Sequence, residues 1–101
     1  MSFRESRQAL ILALQEGRYE HEARDAQAEK NKLAVGELGD AEVIRLLRRC
    51  RGTQYSESPH DCDPGVTVYL FRPESGGESW YVKAYFLSDK AVFISVHPSE
   101  R

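Results

Sequence analysis

No stretch of this chain is apolar for long enough to cross a bilayer: the run ALILAL has six residues before the polar QEGR, against the roughly 20 that a spanning helix needs. The run is also too short for a secretory core and has no small-residue cleavage site after it, so the expectation is a cytoplasmic protein without a membrane partner. Cysteine is scarce. Cys50 and Cys62 are the two present, too few for a disulfide scaffold, and free thiols are expected. Positive net charge is lacking as well: 14 Lys and Arg stand against 16 Asp and Glu, a formal charge of −2. That balance excludes a purely electrostatic nucleic-acid binder and gives no reason to expect DNA as a partner. There is no internal repeat and no low-complexity segment. What remains is a 101-residue chain with 41% apolar and 30% charged residues, expected to form one domain over residues 1–101 around one core.

The charge is distributed unevenly. Residues 16–42 are acid-rich, and directly after them VIRLLRRCR places Arg45, Arg48, Arg49 and Arg51 close together. Two readings fit these arginines: a phosphate-binding patch for RNA, or the solvated face of an amphipathic helix.

Ser2 and Glu5 have capping-box spacing and Gly17 is a suitable C-cap, which predicts a helix over about residues 3–16. RYEHEARDAQAEKNK is rich in helix formers with only small apolar residues, so a second, largely exposed helix is expected there. Asp40 is the expected N-cap of a third helix, whose stripe of Val43, Ile44, Leu46, Leu47 and Cys50 faces the core and which ends at Gly52. From Thr53 the period changes to two, and TQYSESP, GVTVYLFRP, SWYVKAYF and AVFISVH read as strands, the first at an edge. Helices followed by consecutive strands predict an α+β fold, with N-terminal helices packed on one face of a C-terminal antiparallel sheet.

Side-chain parity assigns the faces. Trp80, Val82, Ala84 and Phe86 form the expected core face, leaving Tyr81, Lys83 and Tyr85 on the other. A three-residue turn at Ser88 to Lys90 would pair Tyr81 with His97 and Lys83 with Ser95, keeping the core face apolar. The same rule sends Val66, Val68 and Leu70 to the core and Thr67, Tyr69 and Phe71 to the Lys83 face. Lys83 then lies among Tyr69, Tyr81, Tyr85, Ser95 and His97: a cation, several phenols, and an imidazole of ordinary pKa about 6.5, a set suited to phosphate chemistry. A solvated sheet face would carry the same residues. SPHDCDPG, with His60, Asp61, Cys62 and Asp63, contains metal-ligating types but no second ligand cluster, and its prolines read as a loop. No metal or other cofactor is expected.

Taken in order, ALQEGRYEHEAR, GELGDAEVIRLL, Tyr55, the RP of Arg72 and Pro73, and the YVK of Tyr81 to Lys83 resemble the MqsR-type (motility quorum-sensing regulator) toxins, whose fold is related to the RelE-like ribonucleases. The resemblance covers nearly the whole chain. It implies a metal-independent endoribonuclease that cuts messenger RNA in a type II toxin–antitoxin system and is held inactive by a cognate antitoxin. On that basis Tyr81 is an expected catalytic residue; with Lys83 and His97 of the same face it makes up the expected catalytic set, and the basic patch of Arg45, Arg48 and Arg49, with Tyr69 and Tyr85 of that face, is expected to contact RNA. His97 falls where the family tends to have a lysine. Ser56 and Val68 depart from the family's lysine and glutamine, which leaves a second expectation open, a catalytically inactive protein- or RNA-binding domain of the same fold. His21 and Arg24 match an H-x-x-R pattern of relatives of this fold.

Overall fold

The computed structural model describes residues 1–22 and 31–99. Helix α1 runs from Phe3–Glu16 as the capping signals imply: the Glu5 N–H donates to Ser2 Oγ at 3.1 Å and the Ser2 N–H to Glu5 Oε1 at 2.9 Å. Gly17 closes it with φ 71°, a left-handed conformation in which glycine avoids the Cβ penalty. Helix α2 spans Asp40–Arg49. Its N-cap is Gly39 rather than Asp40, and Asp40 in the first turn instead accepts a hydrogen bond from the Tyr19 hydroxyl. Arg48 and Arg49 occupy its last turn, where they complement the helix dipole. The helix stops at Cys50, and Gly52–Gln54 forms a short 3-10 turn.

The strands among the described residues are β1 (Tyr19–His21), β2 (Tyr55–Pro59), β3 (Thr67–Phe71), β4 (Glu74–Ser75), β5 (Glu78–Leu87) and β6 (Lys90–Pro98). The sheet order is β1-β6-β5-β3-β2, with β4 paired to β5. All pairings are antiparallel except β1 with β6, which is parallel. The fold is therefore α+β with a mostly antiparallel sheet, and the expected edge strand, β2, lies at an edge.

The second expected helix begins on a segment that is a strand. Tyr19–His21 pairs with Ala91, Val92 and Phe93, reinforced by Glu22 N–H to Phe93 O at 2.9 Å and Ala91 N–H to Arg18 O at 3.0 Å. Pairing to a buried strand outweighs the helix propensity of the segment. The remainder of that expected helix, including Arg24, lies outside the described residues apart from its last two, Asn31 and Lys32, which join β6 through an Asn31–Val96 bridge and the Lys32 N–H donating to the Val96 carbonyl at 2.7 Å.

One main cluster buries Leu10, Ile11 and Leu14 of α1 and Val43, Ile44 and Leu47 of α2 with Phe71, Val82, Ala84, Ala91, Phe93 and Val96 of the strands. A second, smaller cluster contains Val68, Tyr85, Val92 and Ile94. These clusters overturn the parity expected for β3. Leu70 pairs with Lys83 and Phe71 with Val82, so Tyr69 and Phe71 enter the main core while Val68 and Leu70 share the Lys83 face. Every residue of VTVYLF has some β character, so alternation alone does not choose its inner face. The aromatic pair wins because Phe71 and Tyr69 fill a nest of rings with Phe3, Tyr55 and Phe86.

The β5–β6 hairpin reaches the expected far register by a different route. Leu87 pairs with Lys90, so the turn has two central residues, Ser88 and Asp89, not three. A register shift between Lys83 and Ala84 then leaves Ile94 as an extra residue in β6, and beyond it Lys83 pairs with Ser95 and Tyr81 with His97. A bulge of this kind restores the parity that a two-residue turn would otherwise break.

Candidate functional site

Tyr81, Lys83, Ser95 and His97 share the sheet face opposite Val82 and Val96. The Tyr81 and His97 rings meet edge to face with centroids 5.5 Å apart. His97 Nδ1 lies 2.7 Å from the Pro98 carbonyl oxygen. A carbonyl only accepts, so Nδ1 carries the proton and the Nε2 lone pair is left to act as a base. Lys83 is half-buried between Leu70 on β3 and Ser95 on β6. Among the described residues no carboxylate forms an ion pair with it. A half-buried cation in that setting is available to an anion.

Arg72 was not among the expected catalytic residues, yet it lines one cleft with Tyr81, Gln54, Glu74, Ser79 and Ser99. Its backbone N–H donates to the Gln54 carbonyl at 2.8 Å, tying the end of β3 to the 3-10 turn. Nothing in the spacing of residues 54, 72, 81 and 97 announces their proximity. The only sequence signal at Arg72 was its RP dipeptide.

The two tyrosines expected at RNA are both buried. Tyr69 is 8% exposed in the main core, stacked on Tyr55 with centroids 6.5 Å apart, and burial, followed by the nearby Glu57 carboxylate, raises its phenol pKa. Tyr85 keeps the expected face but is buried: its hydroxyl donates to Glu22 Oε1 at 3.1 Å, and its ring meets His60 edge-on at 4.9 Å. His60 Nε2 donates to the same Glu22 oxygen at 2.7 Å, and His60 Nδ1 accepts the Cys62 N–H at 3.0 Å. Both imidazole nitrogens are thus engaged, Nε2 tying the 60–65 loop to Glu22 just after β1 and Nδ1 bracing the loop itself. Among the described residues, no group of three or more His, Cys, Asp or Glu is placed to hold a metal ion. Cys50 is buried, Cys62 exposed, and both are free thiols.

The helix arginines divide. Arg49 lines a second cleft with Arg51, Gln54 and Glu74. Arg45 faces a separate cleft with Glu42, Glu78 and Trp80, and Arg48 is exposed outside both. His21 is not on the Lys83 face: its ring contacts Tyr19 and Phe93, its Nδ1 accepts from Asn31 at 3.1 Å, and burial lowers its pKa. Ser56 pairs with Leu70, and Val68 is buried beside Tyr85, so both positions lie on the Lys83 face without a charged group. None of the described helices is long and apolar enough to cross a membrane. Compared with known proteins, the chain matches no protein family, no curated protein and no solved structure.

Proposed function

We propose that this chain is a toxin-like, metal-independent endoribonuclease of MqsR type, acting in the cytoplasm and restrained by a cognate antitoxin protein. The observation that carries the reading is the pairing of Tyr81 with His97, one step from Lys83, on a face shared with the Arg72 cleft. In this reading both helices cover the opposite face of the sheet, which leaves the Tyr81–His97 end of the Lys83 face for RNA, the rest of that face being buried around Val68, Tyr85, Val92 and Ile94. The mixed membership of the main cluster supports that arrangement.

The chemistry follows from the groups. His97 Nε2 takes the proton of a ribose 2′-hydroxyl, whose oxygen attacks the adjacent phosphorus. Lys83 and Arg72 offset the charge that builds on the phosphoryl oxygens. The P–O5′ bond breaks, the departing oxygen takes a proton from the Tyr81 hydroxyl or from water, and a 2′,3′-cyclic phosphate remains. The test is purified protein with single-stranded RNA in the presence of a chelator, with end-group analysis of the products. Cyclic phosphate ends are the expected result. Intact RNA, together with unchanged growth on expression of the chain, overturns the enzyme reading. RNA or antitoxin binding without cleavage would then favour the inactive binding domain, which the lack of a charge at Ser56 and of any polar group at Val68 already supports.

A further inference from the structure

Gln54 and Glu74 border both clefts, the one holding Arg72 and Tyr81 and the one holding Arg49 and Arg51. Cations therefore stand on either side of an uncharged amide and a carboxylate. An acidic side chain between two phosphate-binding stretches opposes a phosphate, so it needs another partner. Base edges supply one.

The orientation of Gln54 is set by its surroundings. Its Oε1 accepts the Arg51 backbone N–H at 2.9 Å, its own N–H donates to the Arg51 carbonyl at 2.9 Å, and its carbonyl accepts from Arg72. With the amide oxygen engaged, the Nε2 hydrogens are what Gln54 offers outward. Glu74 is exposed, and among the described residues no cation pairs with it. Its carboxylate accepts only. The two side chains together present a donor and an acceptor.

We propose that Gln54 and Glu74 read one base next to the cleaved bond, in an RNA strand that passes from the Arg72 cleft to the Arg49 and Arg51 cleft. This rests on the ribonuclease reading and adds a specificity to it. A carboxylate needs a base N–H, which the exocyclic amines of adenine, cytosine and guanine provide. Uracil has no amine and flanks its single N–H with two carbonyl oxygens that the carboxylate repels. The subsite therefore excludes uridine.

The experiment uses short single-stranded RNAs identical except at the nucleotides flanking the cleaved bond, with matched oligonucleotides carrying a 2′-deoxy sugar at that bond to measure binding without cleavage. Wild-type protein is expected to cut, by kcat/KM, about 10-fold or more slowly when uridine occupies one flanking position. Glu74→Gln, at an exposed site that folding tolerates, is expected to abolish that discrimination, because an amide can donate to a uracil carbonyl. Cleavage with the same base pattern in wild type and Glu74→Gln overturns the base-reading role and leaves the ribonuclease reading standing. Binding of the deoxy oligonucleotides with Glu74-dependent discrimination, but no cleavage of RNA, keeps the base-reading role and overturns the enzyme. Neither binding nor cleavage overturns both.

Discussion

At the scale of single residues, the proposed chemistry divides between a proton carrier and a fixed charge. His97→Ala removes the Nε2 base, and turnover on RNA is expected to fall about 100-fold or more. Lys83→Met keeps most of the stem beside Leu70 and deletes the charge, so cleavage falls while the thermal unfolding curve holds its place. Loss of folding in the methionine variant would instead make Lys83 structural. Two other side chains report on stability. The Tyr19 phenol is raised to about 12, chiefly by its hydrogen bond to Asp40, and the Tyr55 phenol to about 12, by burial and then by its bond to Glu57. A phenol in the unfolded chain titrates near 10. The folded state therefore holds protons that the unfolded state releases. The stabilisation is complete below pH 10 and is lost as pH rises through about 12. Denaturant unfolding across that window should decline less steeply for Tyr19→Phe and Tyr55→Phe than for wild type.

At the scale of elements, the β5–β6 hairpin carries a visible local conflict. Of its two turn residues, the first, Ser88, has φ 54°, and Asp89 does not share the positive sign, the pattern of a type II′ turn. That position favours glycine. The β4–β5 turn shows the contrast, since Gly76 and Gly77 take φ 62° and 81° without a Cβ to strain. Ser88→Gly is expected to stabilise the protein by about 1 kcal/mol, read as a higher denaturant midpoint at constant slope. A lower midpoint would show that the serine is held by a contact worth more than the strain. The same hairpin shows why the Tyr81–His97 pair was legible although the turn was not. Keeping Val82 and Val96 together on an apolar face demanded that register, and the chain met the demand with a bulge at Ile94 instead of a longer turn.

At the scale of the whole molecule, a chain of net charge −2 has no general field to draw RNA toward it. Binding then depends on where the arginines lie. Arg49 and Arg51 share a cleft that adjoins the Tyr81 site, whereas Arg45 stands with Glu42 and Glu78. Each phosphate contact to single-stranded RNA contributes about 0.7 to the steepness of log affinity against log salt. Replacing Arg49 and Arg51 with glutamine should flatten that slope by about 1.4, and replacing Arg45 should leave it unchanged. Equal effects from all three would assign them to a diffuse field rather than to a track.

The sequence by itself determined α1 with both its caps, the apolar stripe of α2, four of the five strands described after Thr53, all but the short β4, and the face on which Tyr81, Lys83 and His97 meet. Each of these rests on local chemistry or on a period of apolar residues that burial enforces. The tertiary structure decided the rest. Tyr19–His21 became a strand because β6 offered it a parallel partner, and Tyr69 turned inward because Phe3, Tyr55 and Phe86 made room for a ring there. Arg72, Gln54 and Glu74 joined Tyr81 only when β3, β4 and the 3-10 turn came together around one cleft. Pairings between distant segments are set by competition for partners and core volume, and neither propensity nor spacing along one strand encodes the outcome of that competition.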